Sequence, residues 1–534
     1  MHLTGFATLL PVLASVAGAN PVSKPTKQPC ASDLKVDLKD GVVHGKVDSA
    51  TPGVREFLGI PYAQPPLGDL RFAPPQPLAE PYGELDATKT PASCIQYATK
   101  LPNIYNQIVP EYLPGGANSP GPISEDCLTA SVWAPRGTKK KNLPVLIWIF
   151  GGSFQYGGVD IPYFDPSQWV QRTQSHIVVE FNYRLNIFGY PDAAGLAFDA
   201  ENPGLLDQRA AVEWVRDNIA AFGGDPKRIG LWGQSAGGIS VGTYAYAYPT
   251  DPIVNTFLMD SGSEFLPPSF LYVATADSTA HSNFTFVASN VGCGGLSPAA
   301  ELACMRKVDA LKIEGFLQQY QDSLTQPPLT FTPVVDGRTL LATTMPAHWL
   351  ARLPKSCALG LFSNTSPTLV GSATQDGIPF VPYSPNGPNA TLSDAVGFAY
   401  FFCPAYKSAT VRLAQGIPVY RYLYSGNFTN VSPRPWLGAY HESELPQIFG
   451  TAPLYRGNST AFEYQVSHLM QDSWLDFVAN NGDPNAMSSL VGWPEYTSVD
   501  TGLVRDFAPA DGVVATSVSL RALEKLCPAE DQPN

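Results

Sequence analysis

Short continuous apolar runs alternate along this chain with segments whose apolar positions recur every three to four residues. The runs at 144–150, 176–181, 228–232, 368–371 and 419–424 are rich in Val, Ile, Leu, Trp and Tyr. Runs of that length bounded by turn residues predict strands covered on both faces. The clearest helical segment spans 205–222. There Leu206, Ala210, Trp214 and Ile219 fall near one face, and Gly223-Gly224 stops the pattern. Strands alternating with helices predict an α/β fold around a large, mostly parallel central sheet flanked by helices. On such sheets ligands bind at the carboxyl ends of the strands, so the residues following each apolar run are where chemistry is sought.

The first apolar stretch has a different meaning. Residues 3–16 are almost wholly apolar, and Ala17-Gly18-Ala19 offers small residues for cleavage before Asn20. The flank carries His2 but no Lys or Arg. Pro11 and the glycines interrupt a stretch already short for a bilayer. Residues 1–19 are therefore expected to be a secretory signal, and the mature protein to be soluble and extracellular. The remaining chain, 20–534, shows no linker, charge block or repeat at which to divide it. Its 51 prolines are scattered, as in ordered loops on one core, so a single domain is expected.

Composition fits export. Eight cysteines are spread along the chain, an even number suited to disulfides. N-x-Ser/Thr sequons stand at Asn283, Asn364, Asn389, Asn427, Asn430 and Asn458. The net charge of −13 argues against nucleic acid and anionic membranes as partners and favours solubility.

The run at 228–232 leads into Gly233-Gln234-Ser235-Ala236-Gly237, and a small-residue segment able to start a helix follows. This strand, G-x-S-x-G and helix order is a nucleophile elbow, a turn that holds Ser235 out towards a substrate carbonyl. A serine nucleophile needs a base, and the base needs an orienting carboxylate. In elbow enzymes the order is serine, acid, histidine, leaving His281, His348, His441 and His468. His348 and His468 lie in amphipathic, helical-looking runs that suit surface or interhelix contacts. His441 follows a strand and a proline-rich connection, the position expected of the base. For the acid, Asp376 sits just beyond the run at 368–371. Asp336, in an Asp-Gly turn, is its competitor, and spacing alone favours Asp376 only slightly. The apolar run at 144–150 ends in Gly151-Gly152-Ser153. The N–H groups of Gly152 and Ser153, with that of Ala236, would form an oxyanion hole.

The chain resembles the type-B carboxylesterase/lipase (cholinesterase-like) family, and most closely its secreted fungal-type members. The likeness rests on Phe57-Leu58-Gly59-Ile60-Pro61-Tyr62-Ala63 with Pro65-Pro66 and Arg71-Phe72, and on Ser124-Glu125-Asp126-Cys127-Leu128. Asn182-Tyr183-Arg184, the segment 202–208 and Phe222-Gly223-Gly224-Asp225-Pro226 continue it up to the elbow. Phe331-x-Pro333 with Asp336-Gly337, then Phe402-Cys403-Pro404, and His441 with Glu444-Leu445 and Phe449-Gly450 complete it. The resemblance implies an α/β-hydrolase fold and ester hydrolysis without metal or cofactor. It implies Ser235, His441 and Asp376 as triad and Gly152, Ser153 and Ala236 as oxyanion donors. It further implies disulfides Cys94–Cys127 and Cys293–Cys304, and ion pairs Arg71–Glu125 and Arg184–Asp207. A Cys403–Cys527 bridge follows, which by arithmetic leaves Cys30 with Cys357.

Three departures stand out. Asp376 replaces the Glu of most relatives, Ser153 replaces a glycine whose backbone N–H does the work, and Gln234 replaces the Glu of cholinesterases. None removes a catalytic group. The loop between Cys94 and Cys127 carries Ile95, Tyr97, Leu101, Ile104, Tyr105, Ile108, Val109, Tyr112 and Leu113, apolar residues at near-helical spacing. They predict either a short amphipathic lid favouring apolar acyl chains at a lipid interface or plain packing against the core. The loop has no Trp to bind choline. The substrate expected is a small-molecule or lipid ester, with no obligate protein partner. Two other functions compete: an esterase with one narrow natural substrate, and a non-catalytic adhesion protein, which would lack the serine or its partners.

Overall fold

The computed structural model describes residues 31–115, 121–137, 141–265, 282–341, 366–483, 493–510 and 512–529. The signal segment, His281, His348, Asn364 and the Cys30–Cys357 pair lie outside them. A ten-stranded mixed sheet forms the centre. Its strands are β1 (Val54–Pro61), β2 (Thr129–Pro135), β3 (Leu143–Ile149), β4 (Ile177–Phe181), β5 (Gly224–Gln234), β6 (Thr256–Asp260), β7 (Thr368–Ala373), β8 (Val419–Tyr424), β9 (Val504–Phe507) and β10 (Ala515–Val518). In space they run β10-β9-β8-β7-β6-β5-β3-β4-β2-β1. The pairings from β9 across to β4 are parallel, and the edges at β10, β2 and β1 are antiparallel.

Every residue of β2, β3, β4, β6 and β7 is buried, which is why the sequence shows continuous apolar runs instead of alternation. The long helix α1 (Pro203–Phe222) packs against β5, and Gly223 ends it at φ 101°, a left-handed value that favours glycine. Helix α2 (Ala236–Ala247) leaves the end of β5 and packs on β5 and β6, while α3 (Ala461–Ala479) packs on β3 and β5. His468 lies on α3 and is exposed, as its amphipathic run predicts.

Three disulfides staple the periphery: Cys94–Cys127, Cys293–Cys304 and Cys403–Cys527. Arg71 grips Glu125 with two bonds of 2.6 Å each, and buried Arg184 grips Asp207 with two of 2.7 Å. Among its described residues the loop from Cys94 to Cys127 forms two short helical turns, Ile104–Gln107 with a capping box at Asn103, and Pro110–Tyr112. Both are shorter than the amphipathic helix the spacing suggested. Ile104, Tyr105, Val109 and Tyr112 join the main core, so much of the apolar pattern reports packing. Among the described residues no helix is long and apolar enough to cross a membrane.

Candidate active site

Parallel pairing brings the ends of β3, β5, β7 and β8 to one side of the sheet, and the turns that leave them build the site. Ser235 follows β5 at φ 55° and ψ −122°, a strained conformation for a residue with a side chain. The turn closes because its neighbours lack side chains. A Cβ on Gly237 would stand 1.9 Å from the Ile149 carbonyl oxygen, and one on Gly233 would stand 2.5 Å from the Gly237 backbone. The Ser235 N–H donates to the Asp260 carbonyl at 2.9 Å, tying the turn to β6.

Beyond β3 the chain turns through Gly152 at φ 98° and Ser153 at φ 56°. The N–H groups of Gln155 and Tyr156 both donate to the Gly152 carbonyl, at 2.9 and 3.2 Å, which holds this turn beside Ser235. Gly152 and Ser153 line the same cavity as Ser235.

The third turn leaves β7 and carries Asp376, 1% exposed. Its Oδ1 lies 2.8 Å from His441 Nδ1, and its Oδ2 accepts from the Ala373 N–H at 2.8 Å and the Ser261 hydroxyl at 3.1 Å. These contacts fix the carboxylate in place and orient the imidazole. Asp336 does something else. Its carboxylate accepts from the N–H groups of Arg338, Thr339 and Leu340 and from the Thr339 hydroxyl, all within its own turn.

His441 leaves the loop after β8, packed between the rings of Phe380 and Phe401, with centroids 5.0 and 4.6 Å away. With Nδ1–H given to Asp376, its Nε2 accepts from the Gln234 amide at 3.1 Å. Ser235, His441, Gly152 and Ser153 all open onto one cavity of about 580 Å³. Its remaining walls include Tyr105, Leu113, Pro114, Ile123, Tyr156 and Phe380, with Gln96, Thr99, Asn103, Asn106 and Glu442 among them. The sequence reading missed Ser261 and Glu442. Ser261 follows the end of β6, where such a residue is to be sought. Glu442 reads in sequence as an ordinary loop acid, yet burial pushes its carboxyl up to about 8.

The sequons divide by accessibility. Asn389, Asn427 and Asn458 are exposed and Asn283 is half-buried. Asn430 departs from the expectation: it is buried, and its amide donates to the Ala452 carbonyl at 3.1 Å and the Ser459 hydroxyl at 3.2 Å. A glycan on that nitrogen would replace one of its two N–H groups and so break at least one of these bonds.

A largely parallel sheet that gathers a serine elbow, a glycine turn and a carboxylate–imidazole pair at its strand ends is the frame of an α/β-hydrolase. The chain belongs to the carboxylesterase family, whose model matches residues 32–394 and 384–508. It is 43% identical over 482 residues to a chlorogenic acid esterase of Aspergillus niger, covering 90% of this chain and 88% of that one. It is 39% identical over 532 residues to secreted lipase 5 of Gibberella zeae, covering 93% of both. The activity of the family, carboxylic ester hydrolysis, is the activity of this protein.

Proposed function

We propose that the mature chain, 20–534, is a single-domain secreted serine esterase that works through an acyl-enzyme, with Ser235 as nucleophile, His441 as base and Asp376 as its orienting acid. The observation that carries this reading is the 2.8 Å contact between His441 and Asp376 beside a cavity shared with Ser235 and the Gly152–Ser153 turn. His441 takes the hydroxyl proton as Ser235 Oγ bonds to the ester carbonyl carbon. The oxyanion is held by the N–H groups of Gly152, Ser153 and Ala236, each worth about 3–4 kcal/mol in comparable sites. Collapse breaks the ester bond, and the departing alcohol leaves with the proton from His441. Water then attacks the acyl-enzyme by the same route and frees Ser235.

Secretion is supported by the apolar N-terminal stretch, by three disulfides and by the name of the lipase relative. Among the described residues, Asn283, Asn389, Asn427 and Asn458 are the sequons that fit a glycan. For the substrate, apolar walls at Leu113, Ile123 and Phe380 suit an apolar acyl group. Esters of aromatic acids are a second reading, favoured by Tyr97, Tyr105, Tyr156 and Phe380 in the same cavity and by the name of the Aspergillus niger relative.

Hydrolysis of p-nitrophenyl esters from acetyl to palmitoyl by the wild type and Ser235→Ala tests this assignment. The variant is expected to lose about 10⁴-fold or more in kcat. Retention of the wild-type rate would remove Ser235 from the mechanism. The preferred chain length sorts a short-chain esterase from a lipase.

A further inference from the structure

Glu442 is a carboxyl that the reaction does not use, placed one residue from the general base. Its side chain lines the cavity together with Ser235, His441, Tyr105 and Tyr156, and the residue is only 6% exposed. The backbone there has φ 77°, a left-handed value costly for a residue with a Cβ. Such strain persists where the surroundings fix it, and it gathers at sites that use it. Here the Tyr112 hydroxyl donates to the Glu442 carbonyl at 3.1 Å, and the Leu445 N–H donates to the same oxygen at 3.0 Å. Tyr105 lines the same cavity. The side chain is thus aimed into the cavity from a fixed backbone, beside apolar walls at Leu113 and Phe380.

We propose that Glu442, its backbone fixed by Tyr112, is the specificity-determining residue of this cavity and binds a hydroxyl group of the ester substrate. This rests on the assignment of Ser235 and His441 as the reacting pair. A single polar group on a largely apolar wall fixes orientation, and a substrate that leaves it unpaired is disfavoured. Burial, opposed by the neighbouring Tyr105 hydroxyl and reinforced by the Asp376 charge, pushes the carboxyl up to about 8. At neutral pH it is therefore mostly protonated, and offers both a donor and an acceptor. That chemistry matches a neutral hydroxyl and not a cation. The hydroxyl belongs either to the leaving alcohol, which approaches His441 for its proton, or to a hydroxylated aromatic acyl group.

Two matched substrate pairs distinguish these sources. Methyl 4-hydroxycinnamate against methyl cinnamate places the hydroxyl on the acyl side. Glycerol monobutyrate against propyl butyrate places it on the alcohol side. For the wild type, kcat/KM is expected to favour the hydroxylated member of one pair. In Glu442→Gly, which also relaxes the backbone, that preference is expected to fall about tenfold, the worth of one good hydrogen bond. Glu442→Gln, still a donor and acceptor, is expected to keep part of it. A purely structural role would lower both members of a pair together and leave their ratio intact. Ratios near one in the wild type, or unchanged in Glu442→Gly, overturn the proposal. Activity retained by Ser235→Ala on these esters would instead overturn the reacting pair.

Discussion

The cavity has two walls built by different physics. On one side stand the turns leaving β3, β5, β7 and β8, whose placement follows from parallel strand pairing and from glycines that admit no side chain. On the other stands the Cys94–Cys127 loop, which supplies Gln96, Tyr97, Thr99, Asn103, Tyr105 and Leu113. Only a two-residue parallel strand pair, Ser93–Cys94 with Ile123–Ser124, ties its base, and no strand of the central sheet runs through its described residues. The loop is otherwise pinned by the disulfide at its base and by side-chain bonds to distant elements. Thr99 donates to Asp322 at 2.6 Å, and Gln318 donates to the Ala98 carbonyl at 2.8 Å. Arg456 bonds Glu111 at 2.6 Å and the Ile108 carbonyl at 2.8 Å. The first wall holds the groups proposed to meet the reacting carbonyl, where small displacements are costly. The second shapes what reaches them. A backbone-built wall changes little without loss of the fold, whereas a pinned loop can change its side chains freely.

The largest effect is expected on the first wall. Asp376→Asn keeps the shape but presents an amide to His441 Nδ1, so the imidazole loses the tautomer that serves Ser235. By analogy with other triads, kcat is expected to drop about 10⁴-fold with little change in KM. Thermal unfolding should shift far less than activity. A variant that retained most of its rate would show that another group orients His441.

The second wall is expected to respond in stability first. The Cys94–Cys127 bridge closes a loop of 33 residues in sequence separation. Replacing both cysteines by serine removes a constraint worth about 3–4 kcal/mol in the chain-entropy account. Lower thermal stability and a raised KM are expected, with a smaller loss of kcat than in Asp376→Asn. If kcat fell as steeply as there, the loop would be part of the catalytic frame and the contrast between the walls would fail.

The two walls also differed in how far the sequence revealed them. The serine elbow and the Gly152–Ser153 turn were legible because a strand followed by glycines leaves the chain few conformations. The sheet was legible for a related reason, since strands covered on both faces are built mostly of apolar residues, with few polar ones such as Glu180 and Asp260. The choice between Asp376 and Asp336 stayed open, because both follow a turn and only the neighbouring strand decides where each carboxylate points. In the fold the Gln375 N–H donates to the Ala439 carbonyl at 2.9 Å, joining the two loops that bear Asp376 and His441. Asp336 spends its carboxylate on its own turn. Glu442 was invisible for a deeper reason. Its burial depends on Tyr105 and on Tyr112, which lies 330 residues earlier, and no local pattern encodes such a contact.

The smallest predicted effect concerns pH and belongs to the boundary between the walls. Burial raises Glu442 from an ordinary 4.5 to about 8, and it likewise raises Asp260, behind the elbow, to about 7. A carboxyl raised in the folded state holds its proton there while the unfolded chain has already released it. Its contribution to stability is fully present below about pH 4.5 and is lost progressively as pH rises through the folded value. Glu442→Gln carries no proton to lose, so its melting temperature relative to wild type should climb between about pH 5 and pH 9, by roughly 1–3 °C. Asp260 remains in both proteins, so its own loss cancels in that difference. A constant gap across the range would mean that the Glu442 carboxyl ionises as freely in the fold as in the unfolded chain. The cavity wall would then present a charge to the substrate at neutral pH, and the hydroxyl pairing would have to give way to recognition of a cation.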